Sequence, residues 1–422
     1  DENPVPVLDH TGGDMDFDDS PEEIALRAEV RAWLDEHAVR RDPEALAGMR
    51  TYRTRTESED EALVAEARAW QRTKADSGWA APSWPAELGG RDLSPLLAGV
   101  FAAEEAHYDV VGRMFTVGTD MVGPTLIEWG TDEQRRHHLP RILRADDIWC
   151  QLFSEPGAGS DLAGLSTRAL RDGDEWVVTG QKVWTTGAHY SDLGILLART
   201  DPDVPKHRGI TAIAVDMRAP GVDVRPLRQI DGTIHFNEVF LDEVRVPVAD
   251  TIGPVGSGWG VALTMLTNER ASIGGGSMYG VDQLVQLARE SGRLGDPLIR
   301  QRLADMYIRD EILRFLGYRV RTAAASGRPP GPESSVMKLA VSARYEVGGD
   351  LMLDIEGAAG ALMGDDAPYG GRFQDLFMGQ WAPRIGGGTD QVQRNIIGER
   401  VLGLPGDIRV DKDVAFRDLP RA

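Results

Sequence analysis

The chain has 422 residues, enough for two or three domains with a substantial core. It carries 46 Lys and Arg against 67 Asp and Glu, a formal net charge of −21, which argues against non-specific binding to nucleic acid or an anionic membrane, since both need a basic face. The lone Cys150 leaves no internal disulfide and fits a reducing compartment; without an apolar run of about 18 residues or a basic-then-apolar leader, a cytoplasmic protein with no membrane span is expected.

The chain opens at Asp1, and residues 1–19 read as a loose polar lead-in. Ser20-Pro21-Glu22-Glu23 then starts a helix, with Leu26, Val30, Trp33, Leu34 and His37 at helical spacing. Ser58-Glu59-Asp60-Glu61 is a capping-box pattern that opens a second helix to about Ala75. Gly78 to Pro85 and Gly89-Gly90 form a structured loop. Ser94 to His107 is another helix, and Thr131-Asp132-Glu133-Gln134 opens a short one expected to end at Pro140, with His137-His138 on its exposed surface. Residues 20–147 are therefore a helical domain.

Residues 148–252 change character. Trp149 to Asp161, W-C-Q-L-F-S-E-P-G-A-G-S-D, begins as a strand, breaks at Pro156-Gly157-Ala158-Gly159, and ends on two turn or capping residues. Read alone, it is either an ordinary turn or a cradle for a phosphate or a cofactor edge, because glycines allow close backbone approach and N–H groups favour anionic oxygens. Strands are expected at Trp176–Val178, Val183–Thr186, Leu193–Ala198, Ile210–Val215, Val222–Val224 and Val239–Val246, in a small barrel or sandwich. Residues 253–422 return to helix: Trp259–Glu290 as one long helix containing Gly274-Gly275-Gly276, then Pro297–Ala325, Ser334–Leu362, and a last helix from Thr389 to about Leu402. The fold class is α+β: a helical domain, a β domain and a helical bundle. Phosphate-loop, dinucleotide, zinc and serine-hydrolase signatures are all missing.

Three separated segments, W-C-Q-L-F-S-E-P-G-A-G-S-D, then G-Q-K-V-W-T-T-G-A at Gly180–Ala188, and I-G-G-G-T-D-Q-V-Q-R-N with E-R-V-L-G-L-P near the C-terminus, resemble the acyl-CoA dehydrogenase family. W-P-A-E-L-G-G at Trp84–Gly90 and F-N-E-V-F-L-D-E-V-R-V-P at Phe236–Pro247 resemble it too, in the same order. The resemblance implies a helical domain, a β domain and a C-terminal four-helix domain, with FAD between the last two and a dimer or tetramer in which a neighbour completes each flavin site. It further implies that Gln151, Leu152, Phe153 and Ser154 line the isoalloxazine ring and that Gly159 and Ser160 meet flavin and substrate. Trp184 would pack on the ring, with Thr185 and Thr186 at its polar edge. Thr389 and Gln391 would contact FAD from a helix start.

The family's reaction removes the proton alpha to a thioester while the beta carbon gives up a hydride, with donors on the thioester oxygen. Many members place the base immediately before the C-terminal Gly-Thr, where this chain has Gly387, whose N–H could still donate to that oxygen. A few branches take the base from the residue before an Arg on the long helix, here Glu269-Arg270, flanked by Leu266 and Ile273. Glu269 is thus the expected base and Arg270 a positional residue on substrate or helix. The Phe-Gly that family members often carry after a connector Arg is missing from Gly292–Pro297, and Asp354 stands where a Gln usually meets the neighbour's adenine. Lys206-His207-Arg208 reads as a solvated loop rather than a CoA phosphate site. These features imply dehydrogenation of an acyl-CoA to the trans-2-enoyl-CoA, with an electron-transfer flavoprotein as acceptor. The alternatives are a flavin-dependent acyl-CoA oxidase and a non-catalytic partner subunit of a heteromeric dehydrogenase.

Overall fold

The computed structural model describes residues 19–42, 57–273, 279–325, 334–406, 408 and 411–420. Helix α1 spans Pro21–His37, and its start is the reciprocal cap that the sequence encodes: Glu23 N–H donates to Ser20 Oγ at 3.2 Å, and Ser20 N–H donates to Glu23 Oε2 at 2.9 Å. Helices α2 (Glu57–Asp76), α3 (Pro95–Glu105), α4 (Gly123–Trp129) and α5 (Asp132–Leu143) complete the first domain, with a π turn at Val117–Val122 leading into α4. α5 runs through Pro140 rather than stopping there. Proline removes one helical hydrogen bond, but Ile142 and Leu143 are buried in the core and hold the last turn in place. On the same helix His138 is buried, not exposed, with its ring edge-on to Trp149 at 5.1 Å.

Strands β1 (Trp149–Leu152), β2 (Arg168–Asp172), β3 (Glu175–Thr186), β4 (Leu193–Arg199), β5 (Ile210–Asp216), β6 (Val222–Leu227), β7 (Phe236–Pro247) and β8 (Thr251–Ile252) form one sheet, ordered β6-β7-β3-β2-β4-β5-β8, with β1 beside β4 in parallel. The sheet encloses a core that includes Cys150, Leu152, Trp176, Val178, Leu196, Val215 and Val239. Strands β1, β4 and β5 are buried on both faces. Their alternate residues Trp149, Ile195, Leu197 and Ala212 join Phe153 in a second core shared with the helices, which explains the unbroken apolar run of β4. β3 is one strand where two short ones were expected. Gly180 does not interrupt it; a Cβ there would sit 2.3 Å from Thr167 Oγ1, so the glycine lets β2's approach segment pack against it.

Helices α6 (Gly258–Ile273), α7 (Val281–Glu290), α8 (Pro297–Ala325), α9 (Ser334–Glu356), α10 (Arg372–Gly379), α11 (Ala382–Ile385) and α12 (Asp390–Ile396) follow. The expected single helix Trp259–Glu290 is two, α7 restarting at Gly280 in extended geometry, and the Gly274–Gly276 run lies outside the described residues. α9 stops at Glu356 rather than at Leu362, where Gly357 takes φ of 61° and a 3-10 turn replaces the helix. α6 seats the C-terminal helices on the rest of the molecule, since Val261, Ala262 and Met265 are fully buried among Trp84, Leu126 and Ile195. The tail then returns to the β domain. Phe416 N–H donates to Val204 O at 3.0 Å, and the Arg199 guanidinium lies 3.8 Å from the Phe416 ring centroid. No helix among the described residues is long and apolar enough to cross a membrane.

Candidate functional site

The end of β3 is shaped by a bulge. Lys182 pairs with Val239 and Thr185 with Asn237, so Val183 and Trp184 together oppose a single residue of β7. Trp184 takes φ of 61°, a left-handed conformation costly for a bulky residue, and its side chain stands 62% exposed, touching the Phe236 ring edge-on at 6.0 Å. The same bulge turns Thr185 inward. Its hydroxyl is buried with no hydrogen-bond partner, although its carbonyl accepts from Asn237 Nδ2 at 3.0 Å. A large aromatic face held out in solvent is costly unless a ligand covers it.

The end of β1 lies against this bulge: Val183 N–H donates to Ser154 O at 2.9 Å. Gln151 is partly exposed and shares its parity with Trp149 and Phe153, so it faces the layer where α6 packs. Ser154 is also partly exposed. Leu152 and Phe153 have side chains buried in the two cores, which leaves their main chains to line any ligand. Beyond them the loop closes on itself, Glu155 and Ala158 exchanging both N–H···O=C bonds at 3.0 Å. Its outer side, with Gly157, Gly159 and Ser160, is exposed, and a Cβ on either glycine would meet nothing within 4 Å. Thr186 is half-buried and pairs with Phe236.

Beneath this loop lies a pair that the sequence reading did not single out. Lys182 Nζ, fully buried, donates to Glu155 Oε1 at 2.8 Å and to Phe153 O at 3.0 Å. Glu155 Oε1 also accepts from Thr167 N–H at 2.9 Å, and Oε2 accepts from Ser166 N–H at 2.7 Å. Burial pushes the Glu155 carboxyl up, but Lys182 and these donors hold it below the usual carboxylate range. The available signal was a charged residue inside each of two segments otherwise read as apolar strand and turn.

Glu269 is half-buried on α6, one turn beyond Met265 on the face that enters the shared core, with partly buried Leu266 nearby. The side chain of Arg270 lies outside the described residues. Thr389 and Gln391 line an open cleft of about 350 Å³ made by the C-terminal domain's own Trp381, Arg384, Ile385 and Asp390. Thr389 caps α12, its hydroxyl accepting from Val392 N–H at 3.2 Å. Asp390 is held by Lys338 at 3.0 Å and Arg384 at 3.3 Å. Gly387, φ 63°, precedes the cap, with its carbonyl taken by Gln393 Nε2 at 3.0 Å. Asp354 is ion-paired with Arg302 across α8 and α9, which offsets the negative charge it would present to a neighbour. Lys206, expected in a solvated loop, is largely buried between Asp161 at 3.0 Å and Asp411 at 2.8 Å.

The described residues thus bring together the Gln151–Ser154 segment, the open glycine loop, Trp184 and Thr185. The exposed Trp184 face and the uncrowded glycines fit a flat aromatic cofactor with polar edges. The acyl-CoA dehydrogenase N-terminal, middle and C-terminal domain patterns match residues 20–146, 150–244 and 256–402. Acyl-CoA dehydrogenase IpdE1 of Mycobacterium tuberculosis is 39% identical over 391 residues, covering 91% of this chain and 98% of that protein. A solved structure described as the Tcur3481-Tcur3483 steroid ACAD is 31% identical with a TM-score of 0.78, covering 93% of this chain and 100% of that one. The ChsE4-ChsE5 complex from Mycobacterium tuberculosis is 28% identical with a TM-score of 0.74, at 93% and 100% coverage.

Proposed function

The chain belongs to the acyl-CoA dehydrogenase family of flavoprotein oxidoreductases, and from that premise we propose that it binds FAD and converts an acyl-CoA thioester to its trans-2-enoyl-CoA, with Glu269 as the base. The observation that carries this reading is the bulge at Val183–Trp184, which holds an aromatic face out in solvent next to the Gln151–Ser154 rim. In this reading Trp184 is the floor under the ring and the half-buried Thr186, of the same parity along β3, brings its hydroxyl to the polar edge. Main-chain groups of Gln151–Ser154 line one rim, and Thr389 and Gln391 hold the more distant part of the cofactor. When bound, FAD supplies a two-electron acceptor.

The rest of the chemistry belongs to this chain. The Glu269 carboxylate takes the alpha proton. The Gly387 N–H donates to the thioester oxygen as negative charge grows there. Glycine at position 387 also leaves space where a carboxylate would otherwise stand, which supports a bulky acyl group; the 31% identity to a steroid ACAD supports a steroid-like one. An electron-transfer flavoprotein is the proposed acceptor.

The test is anaerobic titration of the purified protein and of Glu269→Gln with a panel of acyl-CoAs, reading loss of flavin absorbance. The variant is expected to retain its flavin and reduce it roughly 10²- to 10⁴-fold more slowly. An unchanged rate removes Glu269 from the role of base.

A second reading concerns assembly. The Arg302–Asp354 pair occupies the arm that the family resemblance turns toward a neighbour's adenine, and Tyr307, Ile308, Ile312 and Phe315 expose an apolar stripe on α8. Two of the solved relatives are two-protein assemblies by their descriptions. We propose that the active form is an oligomer whose second chain can be a different protein. The mass of the complex purified from co-expressed neighbouring dehydrogenase chains tests this: recovery of only a self-assembled, fully active form would refute it.

A further inference from the structure

The inner side of the Ser154–Asp161 loop is saturated by one buried ion pair, and its outer side is open. Glu155 takes hydrogen bonds from three places in the chain: Lys182 on β3, and Ser166 and Thr167 on the approach to β2. Lys182 reaches past the carboxylate to the Phe153 carbonyl at 3.0 Å. A trans peptide places its C=O and N–H on opposite sides. With the Phe153 carbonyl drawn inward to the ammonium, the Ser154 N–H of the same peptide points the other way, out of the cluster. Lys182 is also the last regularly paired residue before the bulge that projects Trp184. One side chain thus sets the orientation of a peptide on one rim of the site and anchors the strand that carries the other.

Fold stability is a poor reason for such a pair. Buried ion pairs are commonly replaced by apolar residues of similar size without loss, because desolvation cancels most of the attraction. What apolar replacements cannot do is orient a carbonyl.

We propose that Lys182, clasped by Glu155, is a positioning residue for the flavin: it turns the Phe153–Ser154 peptide so that the Ser154 N–H faces the cofactor. The proposal rests on the FAD site described above.

Its test uses holoenzyme of the wild type and two double variants. Lys182→Met with Glu155→Leu fills the space without polar contacts. Lys182→Gln with Glu155→Gln keeps a donor for the Phe153 carbonyl without charge. Thermal unfolding, flavin release on dilution (followed by free FAD fluorescence) and the visible flavin spectrum are compared. The apolar pair is expected to unfold within a few degrees of wild type yet hold FAD about tenfold more weakly, roughly the worth of one charge-assisted hydrogen bond, with a shifted spectrum. The Gln pair is expected to recover most of that affinity and the wild-type spectrum.

An apolar variant with unchanged affinity and spectrum overturns the proposal. So does failure of both variants to fold, which would make the pair an element of the fold itself. Wild-type protein that takes up no FAD removes the site reading along with it, whereas FAD-binding wild type with an equally good apolar variant removes this proposal alone.

Discussion

Trp184 offers the sharpest separation of what serves the fold from what serves the ligand. The side chain is 62% exposed at φ of 61°. Replacing it with Gly removes left-handed strain of about 1–2 kcal/mol, against an entropic cost near 0.5–1 kcal/mol for glycine. Only about a third of the ring is covered, so the lost packing is roughly a third of the 3–5 kcal/mol typical of a core Trp. Trp184→Gly protein freed of flavin should therefore lose little stability, within about 1.5 kcal/mol of wild type. Trp184→Ala, which keeps the strain, should be the less stable of the two by about 1 kcal/mol, the reverse of the usual order in a strand. Flavin affinity should behave differently. If the exposed part of a ring of roughly 200 Å² is covered by the cofactor, about 120 Å² at ~25 cal/mol/Å² is worth ~3 kcal/mol, or about a hundredfold in the dissociation constant. Denaturant unfolding of the flavin-free protein and FAD fluorescence quenching measure the two quantities. A loss of 3 kcal/mol or more in stability would show that the ring is core. A change in affinity below about threefold would show that it is no floor for the flavin.

Two further outcomes follow from buried groups. Thr185→Val removes a buried hydroxyl with no protein partner, so the flavin-free protein should gain about 1 kcal/mol in denaturant unfolding; a loss of stability would mean the hydroxyl is already satisfied. His138 is pushed down to about 4 by burial and then by His137. Between that value and the unfolded value near 6.5 the unfolded chain binds more protons than the folded one, so stability falls as the pH drops through this window, by up to about 3 kcal/mol. His138→Leu should flatten the pH 4–6.5 limb of a stability profile, and an unchanged limb would assign it to other groups.

The elements that the sequence announces most clearly are those built on local chemistry. Ser20-Glu23 and Thr131-Gln134 cap their helices as spaced, and α8 spans the same Pro297–Ala325 that the proline breaks delimit. Where packing overrides local preference the reading fails. Pro140 sits inside a helix because residues beyond it are core, and Gly180 sits inside a strand because Thr167 needs the space. The loop at Pro156–Gly159 and the Trp184-Thr185 pair were legible only through their resemblance to a family. Periodicity assigns Trp184 to either face, and only the bulge, a property of pairing with β7, turns it outward. Lys182 and Glu155 were invisible as a pair because they lie far apart along the chain, and their hydrogen bonds exist only once β3 and the loop have met.

Lys206 sits between Asp161, at the rim of the glycine loop, and Asp411, in the returning tail. One ammonium shared by two carboxylates makes the two segments rivals for the same charge. Through that one ammonium the last stretch of the chain is moored to the rim of the loop.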